Sequence, residues 1–148
     1  MLSWLFSEPL PVGAQAPDFA LPDQEGTIIS MSSFRGRPVV LIFYPGDDTP
    51  VCTRQLCEFR DNWNLVQRAG AAVLGINPSS AGRHARFKDK HQFPFPLLVD
   101  QGQEVAALYH ANGIWVKRTV YLVDAAGIIR FAGRGKPSPS EVLSALGR

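Results

Sequence analysis

The chain is 148 residues long, 45% hydrophobic and 19% charged, with a formal net charge of +2. That composition excludes a globally disordered chain, and the near-balanced charge supplies no electrostatic reason for a nucleic-acid partner. The longest unbroken apolar run, Val39–Tyr44, is six residues, far short of the ~20 needed by a helix that spans a bilayer. Residues 1–9 lack the basic flank, apolar run and small-residue cleavage site of a secretory signal, which points to a cytoplasmic protein. No repeat or linker divides the chain, so residues 1–148 read as one domain, with residues 1–12 as an N-terminal extension.

Gly and Pro punctuate many short elements. Asp23–Gly26 reads as a turn between two short extended pieces, the second being Thr27–Ser30. Pro38–Tyr44 follows as an apolar strand buried on both faces and stopped by Pro45-Gly46. A helix then opens with Thr49 as N-cap and Pro50 at the first helical position, where a missing N–H costs nothing. Leu56, Phe59, Trp63 and Val66 share one helical face with Cys52, whereas Cys57 lies about 140° round. The same pattern carries the helix to Gly70. Ala71–Ile76 is a second apolar strand, so the segment forms a βαβ unit with a parallel pair.

Asn77–Ser80 is a turn that caps a helix over Ala81–His91, whose basic run reads as a solvated face with Phe87 turned inward. Phe93–Pro96 interrupts before a brief strand at Leu97–Val99, and Asp100 caps a helix over Gln103–His110. Thr119–Val123 and Ile128–Ala132 form a hairpin through Asp124–Gly127, and Ser138 or Ser140 opens a last helix. Trp63 and Trp115 read as packing residues. Trp4-Leu5-Phe6 is either an interface or a segment folded onto the domain. Parallel βαβ, antiparallel hairpin and terminal helix together describe an α/β thioredoxin-like fold, a central mixed β-sheet flanked by helices.

Cys52 and Cys57 are the only cysteines. Two close thiols in a reducing compartment suggest catalysis or metal binding more than a structural staple. Cys52 occupies the third helical position, where unpaired N–H groups and the positive end of the helix dipole favour a thiolate. In an intact helix the two Cα atoms stand about 8.7 Å apart, beyond the ~7 Å reach of a disulfide. Bonding the pair therefore requires a turn to unwind. On the residues alone three readings remain open: a redox pair, a buried apolar role for Cys57, and a zinc site drawing on His84, His91 or His110. A disulfide reductase of the Cys-x-x-Cys type does not fit.

The segment Phe43–Thr53, with Pro45, Thr49 and Cys52 in the pattern Pro-x-x-x-Thr-x-x-Cys, resembles the peroxiredoxin active-site motif. Cys57, five residues on, is similar to the resolving thiol of the bacterioferritin-comigratory-protein, or peroxiredoxin Q, branch. Phe93–Asp100 and Arg118–Asp124 extend the resemblance over roughly residues 10–147, while Val51 and Gln55 depart from a glycine and a glutamate common in that branch. The resemblance implies a thioredoxin-like fold and a peroxidase acting on hydrogen peroxide and organic hydroperoxides without metal or other cofactor. It implies Cys52 as the peroxidatic thiolate, Thr49 as a hydroxyl donor to peroxide, Pro45 as a shield against water and Arg118 as the cation holding thiolate and peroxide. Cys57 would close a disulfide with the Cys52 sulfenic acid, reopened by thioredoxin or a glutaredoxin-like donor. A one-Cys peroxidase resolved by an external thiol and a redox sensor with little turnover are the alternatives. Neither a membrane nor a nucleic-acid partner is expected, and the chain reads as a monomer or weak homodimer.

Overall fold

The computed structural model describes residues 7–147, so Trp4-Leu5-Phe6 lies outside the described residues. A small antiparallel hairpin pairs β1 (Ala20–Pro22) with β2 (Ile28–Ser30). The principal sheet contains β3 (Val39–Phe43), β4 (Ala72–Asn77), β5 (Leu97–Val99), β6 (Thr119–Val123) and β7 (Ile129–Arg134) in the order β5-β4-β3-β6-β7. Strands β3, β4 and β5 run parallel, whereas β6 pairs antiparallel with both β3 and β7. This is the mixed sheet expected from the sequence.

Strand β3 is central and wholly buried, which explains its unbroken apolar run: alternate residues enter different cores. Val39, Leu41 and Phe43 point to one face with Tyr109, Tyr121 and Val123. Val40 and Ile42 point to the other, joined by Leu56, Phe59, Val66, Phe87 and Val142 from the covering helices. Those helices are α1 (Pro50–Asp61), α2 (Trp63–Arg68), α3 (Ala81–His91) and α5 (Pro139–Ser144). The opposite face receives α4 (Glu104–Leu108) together with Phe19 and Met31.

Three details differ from the sequence reading. The single helix expected from Pro50 to Gly70 is cut at Asn62, whose φ/ψ of −110°/30° leave the helical region. The Asn62 side chain donates to the Glu58 carbonyl at 2.8 Å, competing with the backbone as asparagine does. The apolar stripe nevertheless continues across the break. The helix expected over Gln103–His110 is a 3₁₀ turn at Gln101–Gln103 followed by the shorter α4; Asp100 still receives the Val105 and Ala106 N–H groups. Trp115 is not a packing residue: it is 76% exposed, while Trp63 packs against Phe95 with the rings tilted and their centres 5.9 Å apart. Among the described residues no helix is long and apolar enough to cross a membrane.

Candidate active site

The end of β3 and the start of α1 place the thiol. Pro45 is half-buried, Thr49 is exposed at the N-cap and Cys52 is fully buried as the third residue of α1. Thr49 occupies the capping position without capping through its side chain: its hydroxyl donates to the Gly46 carbonyl at 3.3 Å. The first-turn N–H groups, which no helical carbonyl can reach, are thereby left to face whatever approaches the helix start.

Arg118 reaches the sulfur from the residue before β6. Its Nη2 donates to Cys52 Sγ at 3.3 Å and its Nη1 to Gln55 Oε1 at 2.7 Å. Gln55, itself buried, donates in turn to the Gly135 carbonyl at 3.4 Å, and Gly135 N–H donates to the Arg118 carbonyl at 2.9 Å. The guanidinium is thus held by Gln55 of α1, while Gly135, just past β7, fixes both the Gln55 amide and the Arg118 backbone. Among the described residues it makes no ion pair with a carboxylate, leaving its charge directed at the sulfur. Gln55, where the resemblance led us to note a departure, is the residue that orients this arginine.

Cys57 stands apart. Both thiols are free, and the half-buried Cys57 faces α3, with Sγ 4.0 Å from His91 Nδ1. Burial pushes the Cys57 thiol above its ordinary value; nearby Arg60 opposes that effect and Asp61 adds to it. The structure therefore joins Cys52 to Arg118, keeps Pro45 and Thr49 on the same connecting loop, and leaves Cys57 turned away.

A second cluster lies beneath the loop. Asp47, 3% exposed, accepts from Tyr44 Oη at 2.7 Å and from Asn77 Nδ2 at 3.1 Å through Oδ1. Its Oδ2 stands 2.6 Å from His84 Nδ1, and His84 Nε2 is 2.8 Å from the Leu98 carbonyl. The histidine faces oxygen on both sides, so Nε2 carries a hydrogen and another lies in the short contact with Asp47. Burial, with the Asp47 carboxylate second, pushes the Tyr44 phenol well above its usual value.

The solvated-face reading of Arg83–His91 holds for the exposed charges and for Phe87 but fails for His84, which is fully buried. Positions 84, 87 and 91 fall at i, i+3 and i+7, one helical face, and that spacing was the available signal. Among the described residues no group of three His, Cys, Asp or Glu side chains converges on a metal site. His110 is exposed and lies 3.0 Å from the Glu8 carbonyl.

Residues 12–132 match the AhpC/TSA family. A chloroplastic peroxiredoxin Q of Oryza sativa subsp. japonica is 40% identical over 133 residues, covering 87% of this chain and 61% of the rice protein. The chain thus spans about three fifths of the length of that relative. The crystal structure of peroxidoxin BcpB from Mycobacterium tuberculosis superposes with a TM-score of 0.84 at 32% identity, covering 93% of this chain and 95% of that one. A peroxiredoxin Q structure from Xanthomonas campestris gives a TM-score of 0.81 at 27% identity, covering 93% and 95%. With the motif, the sheet order and these likenesses in agreement, the chain belongs to the AhpC/TSA family of peroxiredoxins, on its peroxiredoxin Q branch.

Proposed function

We propose that this chain is a thiol-dependent peroxidase in which Cys52 attacks hydrogen peroxide or a small organic hydroperoxide. The observation carrying that reading is the 3.3 Å approach of Arg118 to Cys52 Sγ at the third residue of a helix. Attack forms an S–O bond and breaks the O–O bond, so negative charge grows on the departing oxygen. Arg118 and the first-turn N–H groups of α1 are donors fixed where that charge develops, and pre-aligned donors of this kind need no reorganisation during the reaction. Thr49 would turn its hydroxyl from Gly46 to the peroxide, and Pro45 would limit water. The product is a Cys52 sulfenic acid and water or an alcohol.

Cys57 then condenses with the sulfenic acid, releasing water and forming a disulfide that closes only after α1 unwinds between the two positions. A thioredoxin or glutaredoxin-like dithiol returns both sulfurs to the reduced state by exchange. The cycle belongs in a reducing compartment such as the cytoplasm and uses no resident metal or cofactor.

Intact mass after one equivalent of peroxide tests the reading. The parent should lose about two mass units as its disulfide forms, Cys57→Ser should accumulate sulfenic acid, and Cys52→Ser should stay unreacted. Peroxide consumption retained in Cys52→Ser would end the proposal.

A further inference from the structure

Cys57 is a difficult nucleophile as it stands. Its burial favours the protonated thiol, whereas only the thiolate attacks a sulfenic sulfur. Something near it must accept a proton. The thiol's open side borders a cleft of about 350 Å³ bounded by Arg54, Glu58, Asp61 and Lys136. Among the described residues none of these side chains hydrogen-bonds the Cys57 sulfur. From α3, Lys88 donates to the Phe93 carbonyl at 2.8 Å and Lys90 pairs with Asp48 at 3.2 Å. His91, the last residue of α3, is the remaining titratable neighbour.

Resting on the assignment of Cys57 as resolving thiol, we propose that His91 is the general base that removes the Cys57 proton before that sulfur attacks the Cys52 sulfenic acid. His91 Nδ1 stands 4.0 Å from Cys57 Sγ, a resting separation of the sort that tightens when reaction begins. The other nitrogen, Nε2, is buried and has no hydrogen-bond partner among the described residues. A ring with one nitrogen enclosed has a single polar contact to make, and that contact is the thiol.

The ring is also held in place. Phe87 meets it edge-on at 5.3 Å and Phe93 stacks on it at 5.5 Å. Arg60, three residues after Cys57, donates through Nη1 to the His91 carbonyl at 2.7 Å, and Phe59 is fully buried. These anchors keep the Cys57 turn docked on His91 while the Cys52 end of α1 unwinds toward it. The proton passes from Cys57 Sγ to His91 Nδ1 and the freed electron pair forms the S–S bond. The Cys52 S–O bond breaks, the departing hydroxide takes up a proton from solvent to leave as water, and His91 returns the thiol proton to solvent. His91 thus serves the resolving step and has no part in peroxide attack.

Single-turnover reaction with peroxide, stopped by an alkylating agent and followed by intact mass, separates the two steps. His91→Phe keeps the stacking ring, and His91→Gln keeps a polar group without the base. In both, Cys52 should oxidise at the parental rate, which also reports an intact fold. Disulfide formation should slow by about 100-fold at pH 7, the low end for a positioned general base. The difference should shrink as rising pH ionises Cys57 unaided, and excess peroxide should drive more Cys52 to sulfinic acid. Parental resolution rates and an unchanged pH profile in both variants overturn the role of His91 alone. A parent that forms no 52–57 disulfide overturns the resolving role of Cys57, and this inference with it.

Discussion

Arg118 makes two hydrogen bonds of different character, and their division explains its position. The 2.7 Å bond to Gln55 holds the guanidinium, and the 3.3 Å bond to Cys52, an ordinary length for N–H to sulfur, sets the charge beside the thiol. Replacing Arg118 with Gln removes the charge while keeping a side chain able to bond Gln55. We expect the second-order rate constant for peroxide to fall by roughly 10²–10³, the loss seen when one fixed donor is withdrawn from a developing oxyanion, with little change in the unfolding midpoint. Stopped-flow peroxide kinetics paired with urea unfolding checks both halves. At this scale the sequence was informative where chemistry is local: Pro45, Thr49 and Cys52 lie within one turn and the following helix start, and their spacing is readable. The contact with Arg118 spans 66 residues, and only the family motif pointed to it. Gln55 was visible only as a departure and His91 only as one of three candidate zinc ligands; its contact with Cys57 arises from packing between two helices.

The connecting elements are tied by the buried Asp47 cluster, which gathers the end of β3, the loop into α1, the end of β4, α3 and the carbonyl of Leu98 in β5. Asp47 and His84 are both almost completely buried. Removing one partner from such a pair strands the other in a medium that solvates it poorly, at a cost of about 3–5 kcal/mol. His84→Ala should therefore lower stability by that order in urea unfolding, and Asp47→Asn should cost less because the amide still bonds Tyr44 or Asn77. If His84→Ala unfolds at the parental midpoint, the cluster does not hold the loop. Apolar periodicity located β3, β4, α3 and the hairpin because each buries a regular stripe. It did not reveal the cluster as a whole: His84 shares the inward face of α3 with Phe87, but Asp47 and Asn77 come from other segments and meet it only once the sheet has formed.

Across the whole molecule, three buried tyrosines link stability to alkaline pH. Burial raises the phenols of Tyr44, Tyr109 and Tyr121; Asp47 adds to the effect at Tyr44 and Asp18 at Tyr109, while the Leu10 N–H and Arg134 oppose it at Tyr121. In the unfolded chain these groups lose their protons near pH 10, whereas the native state retains them to higher pH. Above pH 10 the native state therefore binds more protons, and its stability falls as pH rises. With each phenol worth about 1.4 kcal/mol per pH unit, three together give a slope of about 4 kcal/mol per unit between the unfolded and folded values. Urea midpoints should decline gently below pH 10, where the raised Cys57 thiol contributes, and then drop steeply above it. Tyr109→Phe, which also gives up a bond to the Pro17 carbonyl, should soften that drop by about one third. A flat profile through pH 11 would contradict the assignment.

The interruption at Asn62 bears on how the molecule would survive the rearrangement that the proposed cycle requires. Helix unwinding is cooperative, and in one continuous rod from residue 50 to 68 a lost turn would tend to propagate along its length. Here the rod is already severed after twelve residues. Val66 and Trp63 pack against the sheet from a separate short segment, so on the proposed cycle fraying begun at Cys52 would meet a firebreak, and an oxidation could be undone without refolding the helix beyond it.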